Sequence, residues 1–198
     1  DSRVACDLAS WGGLCEFITA ARMNAKKGEY VCVEDFSLLR GCQILFAPKR
    51  EAFDIDRMHA LRECFADDLS LAVELPGLID DDLWLARMRE AGETAGVRLV
   101  AAGDVHMHVR SRKPLQDVIT AVRLGKPVAD CGFELQGNAE RHLRQRKRLA
   151  EIYPPDLLAA TIEVAGKCRF EIEEIKYNYP LETVPPGMTP TEALRAMT

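Results

Sequence analysis

The sequence lacks the features that mark secreted, membrane-spanning or disulfide-bonded proteins. No apolar run approaches the roughly 20 residues of a membrane span, and the amino terminus carries no signal-peptide pattern. The seven cysteines are odd in number, widely spread and without a CxxC pair, which favours free, buried thiols over a disulfide framework or a thiolate zinc site. We therefore expect a soluble, cytoplasmic protein that does not bind membranes.

Several common catalytic and nucleotide-binding motifs are missing as well. The chain has no GxGxxG or GxxxxGK[ST] loop to hold nucleotide phosphates and no GxSxG pattern around a nucleophilic serine. The net charge of -5 gives no overall electrostatic reason to bind nucleic acid, so such binding would need a local basic patch. The chain opens without methionine and closes on MTPTEALRAMT, which resembles the start of a helix, so we expect both ends to be cut from a larger protein.

What the sequence does contain is an alternation of strand-like and helix-like patterns. With 198 residues, of which 47% are hydrophobic, the chain can bury a sizeable core. Apolar runs predict four strands, over 3–9, 42–47, 69–75 and 97–102. Helical periodicity lies between them, over 11–25, 54–65 and 80–95. The alternation indicates an α/β fold with about four mostly parallel strands in a sheet or barrel.

The strand patterns stop after residue 110. Helices are predicted over 114–124, 139–152 and 155–167, and the proline-rich tail predicts an extended linker. We therefore divide the chain into a sheet region over 1–110, a helical segment over 111–176 and a linker over 177–198.

Two of the four histidines lie in the stretch GDVHMH, which follows the last predicted strand. Because the carboxyl ends of parallel strands converge on one rim, Asp104 and His106 could face the same side there and bind one divalent metal. His108 continues the alternation, and Glu74, at the end of the preceding strand, is a further candidate ligand or base. Alternatively, Asp104 and His106 could bond to backbone or cap a helix, and Glu74 could pair with an arginine.

One local basic patch lies in AERHLRQRKRLAEIY, within a predicted helix. Its cationic residues are Arg141, Arg144, Arg146, Lys147 and Arg148. They could contact DNA phosphates, with a strong salt dependence, or they could form a solvated helix face balanced by neighbouring glutamates. No aromatic residues interleave with these charges, so the pattern does not support base stacking.

Residues 99–190 carry an ordered series of motifs that resembles a known family. The series is GDVH, a helix containing LQDV, NAERHL, a helix led by YPP, and YNYPLETVPPGMTP. It resembles the bacterial DNA polymerase III alpha-subunit (C-family) polymerases, in particular their error-prone branch, which acts in damage-induced mutagenesis. The resemblance implies the carboxyl-terminal part of a PHP domain, an incomplete (β/α) barrel, followed by helices and a linker toward the polymerase palm.

The resemblance also implies what the parent protein does. The parent would be a DNA-directed DNA polymerase, a nucleotidyltransferase of DNA replication and repair synthesis after DNA damage, with DNA and deoxynucleoside triphosphates as partners. Other replication or mutagenesis proteins could also bind it. Its palm aspartates and their magnesium would lie beyond Thr198, so the segment alone should not polymerise DNA.

The family's PHP metal site would be incomplete in this chain. Only Asp104 and His106 match its ligands, because the family's initial HxH would lie before Asp1. Where relatives with a full site carry a cysteine and a histidine, this chain has Ala47-Pro48 and Pro76. Zinc or manganese would therefore find few of the three or four protein ligands that it needs.

Two further functions stay open from the sequence. One is a metal-dependent phosphoesterase of the PHP type, with water activated at Asp104 and His106. The other is a purely architectural module that packs against the polymerase core or a partner. A barrel truncated at its amino end would also present open strand edges, which invite self-association.

Overall fold

Four strands form one sheet at the centre of the computed structural model, which describes residues 2–31, 35–175 and 184–198. In spatial order they are β1 (Ser2–Ala5), β2 (Cys42–Phe46), β3 (Leu69–Glu74) and β4 (Arg98–Ala102). β1 runs antiparallel to β2, whereas β2, β3 and β4 run parallel to one another. The predicted α/β fold with four mostly parallel strands is confirmed, and within the described ranges the sheet stays open.

Seven α-helices accompany the sheet in the same ranges. They are α1 (Leu8–Met23), α2 (Ile55–Phe65), α3 (Asp81–Ala95), α4 (Lys113–Leu124), α5 (Arg146–Ile152), α6 (Pro155–Lys167) and α7 (Pro190–Met197). None of these described helices has the length and apolar character needed to cross a membrane. The predicted linker lies partly outside the described residues, at 177–183, and its last part forms α7.

The first strand is shorter than its apolar pattern predicts. A strand over 3–9 is expected, but β1 ends at Ala5 and α1 begins at Leu8. The backbone N–H of Ser10 donates to the Asp7 carboxylate at 2.7 Å, and the Asp7 N–H donates to Ser10 Oγ at 3.0 Å. This capping box satisfies amide groups that a helix start otherwise leaves unpaired, so the apolar residues after Asp7 enter the helix.

The basic segment is also folded differently from the prediction. A helix is predicted over 139–152, but only its second half, α5, is helical. Residues 138–144 instead run irregularly beside the loop that follows β4: the Met107 N–H donates to Arg141 O at 3.2 Å, and the Leu143 N–H donates to Met107 O at 3.1 Å. These bonds use the backbone groups that an α-helix would pair internally.

Helices cover both faces of the sheet. Leu69, Leu71 and Val73 of β3 point into the main core, which side chains of α1, α2 and α3 fill together with Leu157 at the start of α6. Ala72, which alternates with them, packs against Val164 of α6 on the opposite face. The small side chain of Ala72 suits the close approach of α6, so the helical segment packs directly on the sheet.

Two hydroxyl groups fix the helical segment to β4. The Ala101 N–H donates to Thr161 Oγ1 of α6 at 3.0 Å, and the same oxygen lies 3.1 Å from Ala101 O. The buried Tyr153 hydroxyl donates to Ala102 O at 2.6 Å and accepts from the Leu75 N–H at 3.1 Å. Side chains of the helical segment therefore pair backbone groups of β4, the last strand of the sheet. Self-association of the chain through an open strand edge stays a prediction.

The cysteines in the described ranges are free thiols, as predicted. Their burial is uneven: Cys42 and Cys131 are buried, Cys6 and Cys168 are half-buried, and Cys15 and Cys64 are exposed. The expectation of burial is therefore wrong for the last two, which lie on the outer faces of α1 and α2, and Cys32 lies outside the described residues. Burial raises the pKa of the Cys42 thiol, which keeps it protonated.

Candidate functional site

Polar side chains gather at the rim where β2, β3 and β4 end. Glu74 is the last residue of β3, and Asp104 follows β4 after a single glycine. Asp104 has a φ of 40°, in the left-handed region that residues other than glycine rarely adopt. Such a conformation persists where surrounding contacts hold it, and the Asp104 carboxylate has contacts on two sides.

Those contacts join the predicted site residues through an arginine. Asp104 Oδ2 lies 3.0 Å from His106 Nε2 and also accepts a hydrogen bond from Arg141 Nη1. The same Nη1 donates to Glu74 Oε2 at 3.0 Å. One guanidinium therefore links carboxylates from the ends of β3 and β4, and of the alternatives for Glu74, pairing with an arginine is the one observed. His108 is exposed beyond this cluster.

Residues 138–144, which we call the rim segment, are anchored on both sides of Arg141. Asn138 Nδ2 donates to Pro76 O at 2.8 Å, and Arg144 Nη1 donates to Leu75 O at 3.0 Å. Both carbonyls belong to the turn that leaves β3. The rim segment is thus bonded to the turn after β3 and to the loop after β4, and Arg141 lies between these anchors.

A second arginine, Arg50, reaches the same rim from the loop after β2. Its Nη2 donates to Glu74 O at 3.1 Å and to Asp81 Oδ1 at 2.5 Å, while its Nη1 lies 2.9 Å from Asp80 Oδ1. Arg50 and Arg141 line an open cleft of about 430 Å³ together with Glu74 and Asp104. Arg50 belongs to no motif in the sequence, and its position shortly after a strand that ends at this rim is the signal that points to it.

The five cations predicted to contact DNA do not share one helix face. Arg141 and Arg144 belong to the rim segment, where protein groups already accept from their guanidinium nitrogens. Arg146, Lys147 and Arg148 are exposed on α5, and Arg148 pairs with a glutamate one turn later. DNA contact stays a prediction, and α5 is where the exposed charge of this run lies.

The rim donors do not fit a divalent metal as they are arranged. Zinc needs several ligand atoms directed at one point, with no other cation there. Here Asp104 Oδ2 is shared between His106 and Arg141, and Glu74 Oε2 faces the same positively charged guanidinium. Among the residues that the structure describes, no group of three or more His, Cys, Asp or Glu side chains is placed to hold a metal ion. Zinc or manganese binding stays a prediction.

Comparison with known proteins relates nearly the whole chain to one kind of enzyme. It is 40% identical over 202 residues to the error-prone DNA polymerase of Dechloromonas aromatica, which covers 98% of this chain and 20% of that protein. It is 44% identical over 191 residues to the error-prone DNA polymerase of Pseudomonas savastanoi, covering 93% of this chain and 18% of that protein. No family model matches the chain. The chain spans about one fifth of the length of these relatives.

Proposed function

Nearly the whole chain is homologous to a segment that makes up about one fifth of the length of the error-prone DNA polymerases, and on this premise we propose that it is a segment of such an enzyme. The identity of 40% and 44% to these relatives is the observation that carries the proposal. The whole enzyme would add deoxynucleotides to a primer on DNA, with magnesium held outside this segment. It would act in the cytoplasm, in repair synthesis and damage-induced mutagenesis.

Within that enzyme, we assign the segment to the PHP region and the start of the connection to the palm. An open, mostly parallel sheet followed by helices is what an incomplete (β/α) barrel would leave, which supports this assignment. Carboxylates at the carboxyl ends of its strands support it as well. The region would be architectural, because its rim side chains bond to one another and hold the helical segment on the sheet.

Primer extension tests the polymerase proposal directly. The full-length parent protein and the 198-residue chain are each given a primed template, the four deoxynucleoside triphosphates and magnesium, with an abasic site in half of the templates. We expect the full-length protein to extend primers on both templates and the chain alone to extend neither. A full-length protein that cannot extend an undamaged primer, or extension by the chain alone, would contradict the proposal.

A PHP-type phosphoesterase is the second candidate, since Glu74, Asp104 and His106 do meet at one rim. Hydrolysis of p-nitrophenyl phosphate by the chain, with zinc or manganese added, tests it against a His106→Ala control. We expect equal background rates from the two proteins. Metal-dependent hydrolysis that is lost in the His106→Ala variant would favour the phosphoesterase instead.

DNA contact through α5 is a further part of the proposal. Replacing Arg146, Lys147 and Arg148 with alanine in the full-length protein should weaken DNA binding and flatten its salt dependence, by about 0.9 in the logarithmic slope for each phosphate that the variant no longer neutralises. Replacement of the three exposed lysines Lys26, Lys27 and Lys126 is the control, since it removes the same number of positive charges elsewhere on the surface. Equal salt slopes for the wild type and the α5 variant would rule out α5 as a contact surface.

A further inference from the structure

We propose that the guanidinium of Arg141 lies between Glu74 and Asp104, where a divalent metal would otherwise bind. An internal positive charge, and not a metal ion, then neutralises the two carboxylates. This inference rests on the geometry of the rim alone and does not depend on the activity of the parent enzyme. Its first support is that one nitrogen, Arg141 Nη1, contacts a carboxylate oxygen from each of two strand ends.

Partial burial strengthens the pairing at the rim. The side chains of Arg141 and Glu74 are 24% and 28% exposed, whereas that of Asp104 is 45% exposed. Two carboxylates that converge on one nitrogen repel each other, and a cation or hydrogen-bond donors placed between them offset this repulsion. Arg141 supplies both, because its charged nitrogen donates to both acids.

Arg141 is also held at this position by its backbone. The His106 N–H donates to Arg141 O at 2.9 Å, and the Met107 N–H donates to the same carbonyl at 3.2 Å. The loop that carries Asp104 and His106 therefore binds the main chain of the residue whose side chain pairs with Asp104. Asn138 and Arg144 anchor the rim segment on either side, so the guanidinium is placed by the fold and is not a free surface side chain.

A divalent cation would compete with Arg141 for the same lone pairs. Binding at Asp104 Oδ2 would have to break the contacts of this oxygen with Arg141 and with His106 Nε2, against repulsion from the guanidinium. Removal of the guanidinium would free the carboxylates of Glu74 and Asp104 to turn, with the His106 imidazole, toward one point, and zinc accepts such ligands once they converge. Arg141 would thus decide whether the rim binds metal.

Zinc binding to the 198-residue chain tests this inference, measured by equilibrium dialysis and by the thermal shift on adding zinc. We expect Arg141→Ala to bind one zinc ion at least about tenfold more tightly than the wild type, a difference of about 1.4 kcal/mol. The gain should disappear in the double variant that also carries His106→Ala. Arg148→Ala is the control, since it removes an exposed arginine of α5 that pairs with Glu151 and not with the rim carboxylates.

Two outcomes would overturn the inference. One is a folded Arg141→Ala variant that binds zinc no better than the wild type. The other is a wild-type chain that already binds one zinc ion and loses it on His106→Ala, a result that needs no folded Arg141 variant. Arg141→Lys keeps a cation at the rim and should bind zinc as poorly as the wild type, whereas tight zinc binding by this variant would also count against the proposal.

Discussion

Residues 2–102, which carry the sheet, and residues 103–175, which follow it, are stabilised by different balances of apolar and polar contact. In the first, buried aliphatic side chains such as Leu71 and Met58 pack from strands and helices into one core. In the second, apolar side chains such as Leu157 and Val164 also pack on the sheet, but the rim segment is attached to it by side chains that bond to backbone carbonyls and carboxylates. The comparison shows that one chain can build its core from hydrophobic burial and attach a rim segment to it through specific polar bonds.

The difference has an energetic consequence. Hydrophobic burial is not directional, so each apolar side chain contributes in proportion to the area it removes from water. A hydrogen bond between buried groups contributes little net stability, because both groups bond to water in the unfolded chain. Loss of one partner costs more, because the other group then stays buried with no hydrogen bond. Substitutions in the two regions should therefore differ in how much they lower the free energy of unfolding and in which bonds they disturb.

The largest effect is expected in the core. Leu71→Ala removes a side chain that is 0% exposed, at the centre of β3, and should lower the free energy of unfolding by about 2–5 kcal/mol. Urea unfolding followed by circular dichroism measures this loss. The matched control is Leu143→Ala in the rim segment, where the leucine is 64% exposed and the loss should stay within about 0.5 kcal/mol. Equal losses at the two sites would show that burial does not distinguish the two regions.

Tyr153→Phe tests the polar junction between the two regions. The variant keeps the ring but removes the hydroxyl that bonds to the Leu75 N–H and to Ala102 O, and should cost about 1–3 kcal/mol because these backbone groups lose their partner. Burial raises the pKa of Tyr153, so the hydroxyl remains a donor at neutral pH. Urea unfolding beside the exposed control Tyr30→Phe measures the effect, and matching midpoints for the two variants would show that the junction is not stabilising.

Periodicity predicts the sheet region well because its contacts are repetitive. The alternation in LSLAVEL places Leu71 and Val73 on one face and Ala72 on the other, as the structure has them. The boundary near Asp7 is wrong in the prediction because a capping box is a local polar contact that hydrophobicity does not register. Strand order and the antiparallel direction of β1 depend on contacts between distant residues, which a single sequence does not specify.

The candidate site could be predicted only in part, for a related reason. Asp104, His106 and Glu74 are found from their position after strands, because parallel strand ends converge. The role of Arg141 could not be found, since its spacing from Arg144 and Arg148 matches a helix face. The backbone bonds between Arg141 and the loop after β4 override that spacing, and they join residues that lie far apart in the sequence.

A smaller effect is expected where α6 meets β4. Thr161→Val removes the oxygen that accepts from the Ala101 N–H, and should cost about 1 kcal/mol and speed hydrogen exchange at that amide. Thr19→Val in α1 is a close control, because Thr19 and Thr161 both bond to the carbonyl four residues earlier but only Thr161 also contacts a strand. If both variants lose the same stability and the Ala101 amide exchanges as in the wild type, the strand contact contributes nothing.

The smallest effect is expected at the surface ion pair between α3 and α6. This pair shows how little a polar bond contributes to stability when water surrounds both partners. Arg89 Nη2 donates to Asp156 Oδ1 at 3.1 Å, and this hydrogen bond lowers the pKa of Asp156 below its ordinary value of 3.8. Because the folded pKa is the lower one, the stabilisation is present above the unfolded pKa and is lost as the pH falls through the folded pKa. Asp156→Asn should therefore cost less than about 1 kcal/mol near neutral pH, and less in high salt, since both side chains are exposed. Urea unfolding of wild type and variant over a pH series should give curves that converge in acid, whereas a constant gap would mean that Asp156 acts through something other than its charge.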